Sequence, residues 1–459
     1  MTLAIAGLIR ERLKSSAFRT LLLVTGIGVL CKATALGREL LIAAQFGASE
    51  ALDAFLVAVI IPVTVANVVG NVLATSLLPQ LLQARREHGP SAELEAQQRA
   101  LFWGIVLLSV VACTFAAAGP WLLPWLSPGF TTSTASLTQR LLWAATPFGV
   151  IAGTTRIFAV LAEAEGKFSR TAFSPMLTAL LSMALLAIRG ACPFVLVTGL
   201  TLGATAELIF NASALRGTRY RALPRPGRFT PFEATLVAVT WPVSIGSFLH
   251  GLTVIVDQSM ASLVGPGAVS ELTYGNRFVA VTISLVGTPL FSFAFPRFAR
   301  LVAEQKFPEL RREFRRFAWM AAGISLLPML ALSGLAGRIV EATFQRGRFS
   351  PDVAEHVALV QALGALQIPT TIVAMLGLRC VFALKLRHVM LYQGAGTVLI
   401  NALLDWVLVN WLGVPGIALA TAILSALTCG FILLVVERAI QSEMAGDLER
   451  HETVRSQAA

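Results

Sequence analysis

The stretch LFWGIVLLSVVACTFAAAGPWLLPWL, residues 101–126, runs 26 positions without one acidic or basic side chain. About 20 apolar residues of helix suffice to cross a hydrocarbon core of roughly 30 Å. Segments of the same kind recur near residues 18–44, 51–82, 138–162, 170–188 and 192–215. Six more follow near 232–264, 268–302, 317–340, 353–384, 388–411 and 414–437. In lipid every backbone N–H and C=O must be satisfied internally, which helices achieve within one segment. The sequence therefore predicts an all-α polytopic membrane protein with twelve transmembrane helices in two six-helix lobes.

Composition agrees. Apolar residues make up 56% and charged residues 13% of 459, and the mean hydropathy is +0.74. Soluble domains hold roughly half apolar and a quarter charged residues, so a water-soluble enzyme is excluded. The net charge of +11 does not indicate a nucleic-acid partner, because the Lys and Arg residues gather in alternate loops. One side carries the N-terminus, residues 81–89, Lys167 with Arg170, residues 216–228, residues 297–316, Lys385 with Arg387, and the tail. The positive-inside rule makes that side cytoplasmic, with both termini in the cytoplasm of a multi-pass inner-membrane protein. Trp121, Trp125 and Trp411 at outer ends, and Trp103 and Trp319 at inner ends, fit an interfacial belt. The first apolar segment is too long for a signal h-region and is read as a retained helix. The five cysteines are scattered through apolar stretches and read as small buried hydrophobes.

The halves resemble each other. Gly47 and Pro79 recur as Gly265 and Pro296, and Pro147 and Arg156 as Pro369 and Arg379, at an offset of about 220 residues. An offset of six crossings preserves orientation, so the lobes are expected to be parallel repeats about an axis along the membrane normal, with the substrate between them. The organisation is then an N-terminal lobe over residues 1–215, a basic linker over 216–231, a C-terminal lobe over 232–437 and a tail over 438–459. The linker, RGTRYRALPRPGRFTP, is expected to sit on anionic membrane lipids at about 1 kcal/mol per basic residue near the surface.

Ionisable groups inside apolar spans cost about 2.5–3.5 kcal/mol each at mid-helix and therefore mark cavities or partners. Lys32 and Arg277 lie deep and read as cavity-lining cations. Arg38, Glu39 and Asp53, at the outer ends of helices 1 and 2, read either as a structural ion-pair set or as a gate. Arg156 and Arg379 lie near cytoplasmic helix ends, where long side chains snorkel. A cationic cavity of Lys32, Arg38 and Arg277 suits a phosphate- or diphosphate-bearing substrate. Asn401 and Asp405 stand four residues apart on one helix face, with Asp257 mid-span in helix 7 and Thr421 in helix 12. Two carboxylates with amide and hydroxyl oxygens are the donor set an alkali cation prefers, so these residues read either as a site for a coupling cation or as hydrogen-bonding groups between helices. No GxxxxGK[ST] loop occurs, no loop is long enough for a catalytic domain, and no Ser/His/Asp or paired-carboxylate set gathers on one side of the membrane, so neither ATP use nor catalysis is indicated.

At these residues a family resemblance becomes specific. The stretch ATALGRELLIAAQFGASEALDAF, residues 33–55, is similar to the opening of the MurJ/MviN family of lipid II flippases, within the multidrug/oligosaccharidyl-lipid/polysaccharide exporter superfamily. YGNRF at 274–278, TFQRGRFSPD at 343–352 and the polar positions of helix 11 extend the resemblance over nearly the whole chain. It implies a monomeric flippase for a polyprenyl-diphosphate-linked glycan, with Lys32 where the family has a cavity arginine and Arg38, Asp53 and Arg277 at matching positions. It also implies a sodium site at Asp257, Asn401, Asp405 and Thr421. Two departures accompany it: the family's helix 2 arginine pair falls on Ala66 and Asn67, and typical members have two further helices. An exopolysaccharide or O-antigen unit is therefore an alternative substrate. A drug antiporter and a membrane glycan polymerase are the more distant readings.

Overall fold

Local sequence sets the helix boundaries. Ser350 caps a helix by accepting from the Val353 N–H, with Pro351 and Asp352 in the first turn. Thr131 does the same for the Thr134 N–H, and both caps satisfy amides a helix N-terminus leaves open. The computed structural model describes residues 16–221, 223–384 and 386–458, and among the described residues there are helices and no strand. The predicted basic residues Arg10, Arg12, Lys14 and Lys385 lie outside the described residues.

The helices are α1 (Ser16–Phe46), α2 (Glu50–Val65), α3 (Asn71–Ala117), α4 (Gly119–Leu126), α5 (Thr132–Ala164), α6 (Phe168–Phe173), α7 (Pro175–Arg189) and α8 (Pro193–Ala214). They continue as α9 (Pro231–Val264), α10 (Ala268–Ala303), α11 (Phe307–Gly334), α12 (Ala336–Phe344), α13 (Pro351–Ala365), α14 (Gln367–Ala383), α15 (Arg387–Leu412) and α16 (Val414–Ala458). A π-helical turn, Ala66–Gly70, joins α2 to α3. Among the described residues nine helical stretches are long and apolar enough to cross a membrane, and Gly251–Val264 is a shorter apolar helix. The helices α1 and α9, which carry the first and seventh predicted segments, fall outside that nine.

The stretch Glu50–Ala117 runs 68 residues and takes in most of the second and third predicted segments. The basic run at residues 81–89, read from sequence as a loop, is helical through His88. No glycine or proline interrupts residues 81–88, and the chain turns at Gly89, whose φ of 86° glycine alone adopts without strain.

The chain packs as two compact units. One takes residues up to Leu126 and Phe130–Phe248, and the other Ser127–Gly129 and the chain from Leu249 onward, so the division falls inside α9. In the first unit α5 packs against α2, α3 and α8; in the second, α14 and α16 pack against each other and α13 against α10 and α16. Half of the most apolar stretch of α5, and half of that in Pro351–Ala383, is buried. Among the nine stretches these two, which carry the fourth predicted segment of each half, are the most deeply buried.

Leu77, Leu81, Leu101, Ile157, Leu161 and Tyr220 form a core cluster in the first unit. Phe298, Phe314, Ile368, Leu376 and Ile432 form one in the second. Outside the cores, large apolar side chains stay exposed, Trp125, Trp319 and Trp411 among them. Water would disfavour such a surface, whereas lipid accommodates it.

Close helix approach depends on small residues. The Cβ of any residue at position 203 would lie 2.6 Å from the Thr178 Cα, and one at 199 would lie 3.0 Å from the Ser182 Cα. Glycines four residues apart on α8 therefore let its backbone meet α7, the small-xxx-small mode of membrane helix packing. Gly203→Ala is expected to destabilise the first unit by about 1–3 kcal/mol, the usual cost of overpacking. A melting temperature equal to that of the wild type in detergent would show that the contact is not tight.

The basic linker does not hang free of the first unit. Gln97 accepts from the Arg221 N–H at 3.1 Å and donates to the Arg221 carbonyl at 2.8 Å, as a neighbouring strand would. The Arg225 N–H donates to the Gln98 carbonyl at 3.1 Å, and Arg219 pairs with Glu165 at 2.7 Å. The buried Tyr220 hydroxyl donates to Glu93 at 3.1 Å. Burial, reinforced by the Glu93 charge, pushes that phenol up to about 12, so it remains a neutral donor.

Candidate substrate and ion sites

In the first unit α1 carries Lys32, Arg38 and Glu39 one to two turns apart, and Asp53 occupies the first turn of α2. An Arg38 Nη donates to the Glu39 carboxylate at 2.6 Å, so these neighbours form an ion pair along one helix edge. Glu39 and Asp53 are both buried, Asp53 almost wholly. The Arg38 Nε–H is buried and makes no hydrogen bond among the described residues. Arg38 therefore spends part of its fork on Glu39 and keeps a desolvated donor, which is costly to leave unmade and well suited to an anionic oxygen. Lys32 is half-buried on the same helix.

In the second unit Arg277 sits in the first half of α10, half-buried. Two sequence motifs far apart in the chain meet around it. Tyr274 and Phe278, one turn apart on α10, pack against Phe344 with ring centroids 5.3 and 5.7 Å away. Tyr274 also meets Phe349 at 5.5 Å, and Phe344 stacks on Phe349 at 5.8 Å. Such aromatic pairs add about 0.5–1.5 kcal/mol each beyond area burial. Arg277 leaves the helix about 60° around from Tyr274 and about 100° from Phe278, beside that aromatic face. The aromatic cluster fixes the rotation of α10 and with it the direction in which the guanidinium is presented.

The second unit also assembles the polar set of α9 and α15. The Asn401 amide donates to Asp257 Oδ1 at 2.7 Å and to Asp405 Oδ2 at 2.8 Å. Asn401 and Asp405 are fully buried. Among the described residues no salt bridge reaches either aspartate, while Asn401 Oδ1 and Asp405 Oδ1 are buried acceptors with no donor. Two carboxylates and an amide oxygen in one dry spot, without a cation, carry a large desolvation cost. The donor chemistry fits a small alkali cation, which would take these oxygens as hard ligands. Thr421 stands apart in this arrangement: its hydroxyl donates to the Ile417 carbonyl of its own helix at 3.0 Å, and among the described residues no hydrogen bond joins it to the other three.

One half-buried carboxylate was not singled out from sequence. Glu207 on α8 accepts from Ser174 at 3.2 Å and Thr178 at 2.8 Å, and Asn211 donates to Ser174 at 3.0 Å. A glutamate inside an apolar span is the same signal that drew attention to Asp257. Arg379 lies over the Phe291 ring at 5.7 Å, a cation–π contact that helps seat a charge in an apolar setting.

Cations and buried carboxylates set into bundles of apolar helices are the features of a membrane transporter. The comparisons make that specific. The model of the family described as Lipid II flippase MurJ matches residues 42–452. The chain belongs to the lipid II flippase MurJ family. It is 27% identical over 311 residues to the lipid II flippase MurJ of Burkholderia cenocepacia, a match covering 62% of this chain and 57% of that protein. It is 26% identical over 415 residues to a probable lipid II flippase MurJ of Synechocystis sp., covering 86% and 76%. Its fold matches a structure of lipid II flippase MurJ in an inward closed conformation, with a TM-score of 0.76, 17% identity and coverage of 95% and 93%. It also matches an inward-facing multidrug resistance MATE family transporter, at 0.75, 12% identity and coverage of 92% and 99%.

Proposed function

We propose that this protein is a flippase that moves a polyprenyl-diphosphate-linked glycan precursor of the lipid II kind across the cytoplasmic membrane by alternating access. The observation that carries the reading is membership of the lipid II flippase MurJ family over residues 42–452. The chemistry of the charged residues supports it: Lys32, Arg38 and Arg277 are cations set in apolar helices, where a diphosphate is the anion that repays their desolvation. The glycan headgroup enters while the lipid tail stays in the bilayer. Twelve crossings, a monomeric state and a sodium ion held by Asp257, Asn401 and Asp405, joined by Thr421, complete the proposal. Exposed Arg216, Arg221, Arg225 and Arg228 of the linker attract anionic headgroups.

A single experiment tests the function. The purified protein in liposomes, given lipid II on the inner leaflet, is expected to expose it to an external enzyme that modifies only accessible headgroups. Exposure no faster than in empty liposomes overturns the reading. The positions of Ala66 and Asn67, in the π-turn where the family carries an arginine pair, favour testing an exopolysaccharide unit on the same lipid carrier alongside. Orientation has its own check. A reporter inserted between Arg225 and Arg228 is expected to read as cytoplasmic, and one between residues 127 and 131 as external; the same reading at both sites contradicts the topology.

A further inference from the structure

In the second unit a cavity of about 570 Å³ opens on the flank formed by α11, α14 and α16. Its volume falls in the range of small-molecule sites, roughly 300–1,000 Å³. The sequence makes the hollow: Ala318 and Ala322, one turn apart on α11, replace the large side chains that otherwise fill the space between helices. Val373 of α14 and Cys429 and Leu433 of α16 complete an apolar wall. Trp319, 79% exposed, stands at its edge. A hollow on a lipid-facing surface forfeits dispersion contacts unless an apolar chain fills it.

One end of this groove is charged. Arg315 and Glu437 line it there. The Glu437 carboxylate takes the Nε–H groups of both Arg311 and Arg315, at 2.8 and 2.6 Å, which leaves that trio with one positive charge in excess. Arg312 and Arg316 are exposed on the same two turns of α11, and among the described residues neither has an ion pair. Arg312, Arg315 and Trp319 follow an i, i+3, i+7 spacing, so guanidiniums and indole share one face of the helix. An apolar groove that ends in surplus guanidinium charge beside an interfacial tryptophan is complementary to one molecule: a lipid whose headgroup carries a negative phosphate.

We propose that this groove is a binding site for a single anionic phospholipid, with an acyl chain along Ala318 and Ala322 and its phosphate at Arg312, Arg315 and Arg316. The occupant is a bilayer phospholipid and not the tail of the transported substrate, because none of the cations proposed to hold the diphosphate lies on α11, α14 or α16. The inference rests only on the chain's place in a membrane, and it stands or falls apart from the flippase reading.

The test is native mass spectrometry of the full-length protein released from detergent with phosphatidylglycerol or phosphatidylcholine at equal concentration. The wild type is expected to retain one phosphatidylglycerol through activation that strips phosphatidylcholine. Ala322→Trp, which fills the groove, is expected to lower that retention at least fivefold, and Ala322→Ser to leave it unchanged. The double variant Arg312→Gln/Arg316→Gln is expected to abolish the preference while leaving the Glu437 pairs in place, and its melting temperature verifies that it is folded. Equal retention of the two lipids by the wild type, or undiminished phosphatidylglycerol retention in Ala322→Trp, overturns the site. Displacement of phosphatidylglycerol by an equal concentration of a polyprenyl diphosphate overturns the assignment of its occupant. No substrate or transport enters the measurement, so its failure and a failure to flip lipid II are separate results.

Discussion

Asp405→Ala is expected to abolish a sodium-specific rise in thermal stability that the wild-type protein shows over potassium or choline at equal ionic strength. The expectation starts from Asn401, whose one amide group bridges the half-buried Asp257 and the fully buried Asp405 at 2.7 and 2.8 Å. Two acceptor oxygens there, Asn401 Oδ1 and Asp405 Oδ1, have no donor among the described residues. Binding to the folded state alone stabilises by about 2.7 kcal/mol when the ligand is a hundredfold above its dissociation constant. At roughly 2–4 °C per kcal/mol for a large domain, the shift is on the order of 5–10 °C. Removing Asp405 takes away a ligand and the charge that attracts the cation, so the variant's melting temperature is expected to be the same in sodium and potassium. Thr421→Ala separates two versions of the site. A full loss of the sodium effect means that the hydroxyl turns from Ile417 to the ion, whereas an unchanged effect confines the site to Asp257, Asn401 and Asp405. No difference between sodium and potassium in the wild type eliminates sodium as the ligand.

The second large effect concerns the cations. Arg277→Ala and Lys32→Ala are each expected to slow flipping by about 10- to 150-fold, since a hydrogen bond to a charged group is worth about 1.5–3 kcal/mol and each 1.4 kcal/mol is tenfold. Both variants are expected to reach the membrane in near-normal amounts and to keep the sodium effect, because the aromatic packing of Tyr274 and Phe278 against Phe344 does not involve the guanidinium. Conservative changes give the finer reading. Lys32→Arg is expected to keep activity, whereas Arg277→Lys, which keeps the charge but loses the planar fork, should fall between alanine and wild type. Normal flipping by Arg277→Ala removes that residue from the diphosphate site. Loss of the sodium effect along with flipping assigns it a structural role instead.

Much of this protein follows from the order of its residues. Stretches such as 101–126, with no acidic or basic side chain, can satisfy their backbone in lipid only as helix, so the fold class was fixed by composition and length alone. The four-residue step from Asn401 to Asp405 is equally local, and it was legible for that reason. The spacing also exposed the rare charges, because any ion in an apolar run stands out. The tertiary structure decided what those groups do together. Only packing could show that Asn401 reaches Asp257 across 144 residues of chain, or that the YGNRF and FQRGRF motifs are one aromatic cluster whose rings orient α10. The sequence placed the linker between two halves, whereas one hydrogen bond donated by Gln97 and one accepted by Glu93 fasten it to the first unit. The groove beside Ala318 and Ala322 likewise has no sequence signature, since a small residue marks a hollow only once the neighbouring helices are in place. The reason is common to all four. Helix formation is governed by neighbours within a turn or two, while a site is made by side chains whose meeting depends on how helices, distant in sequence, are rotated and packed.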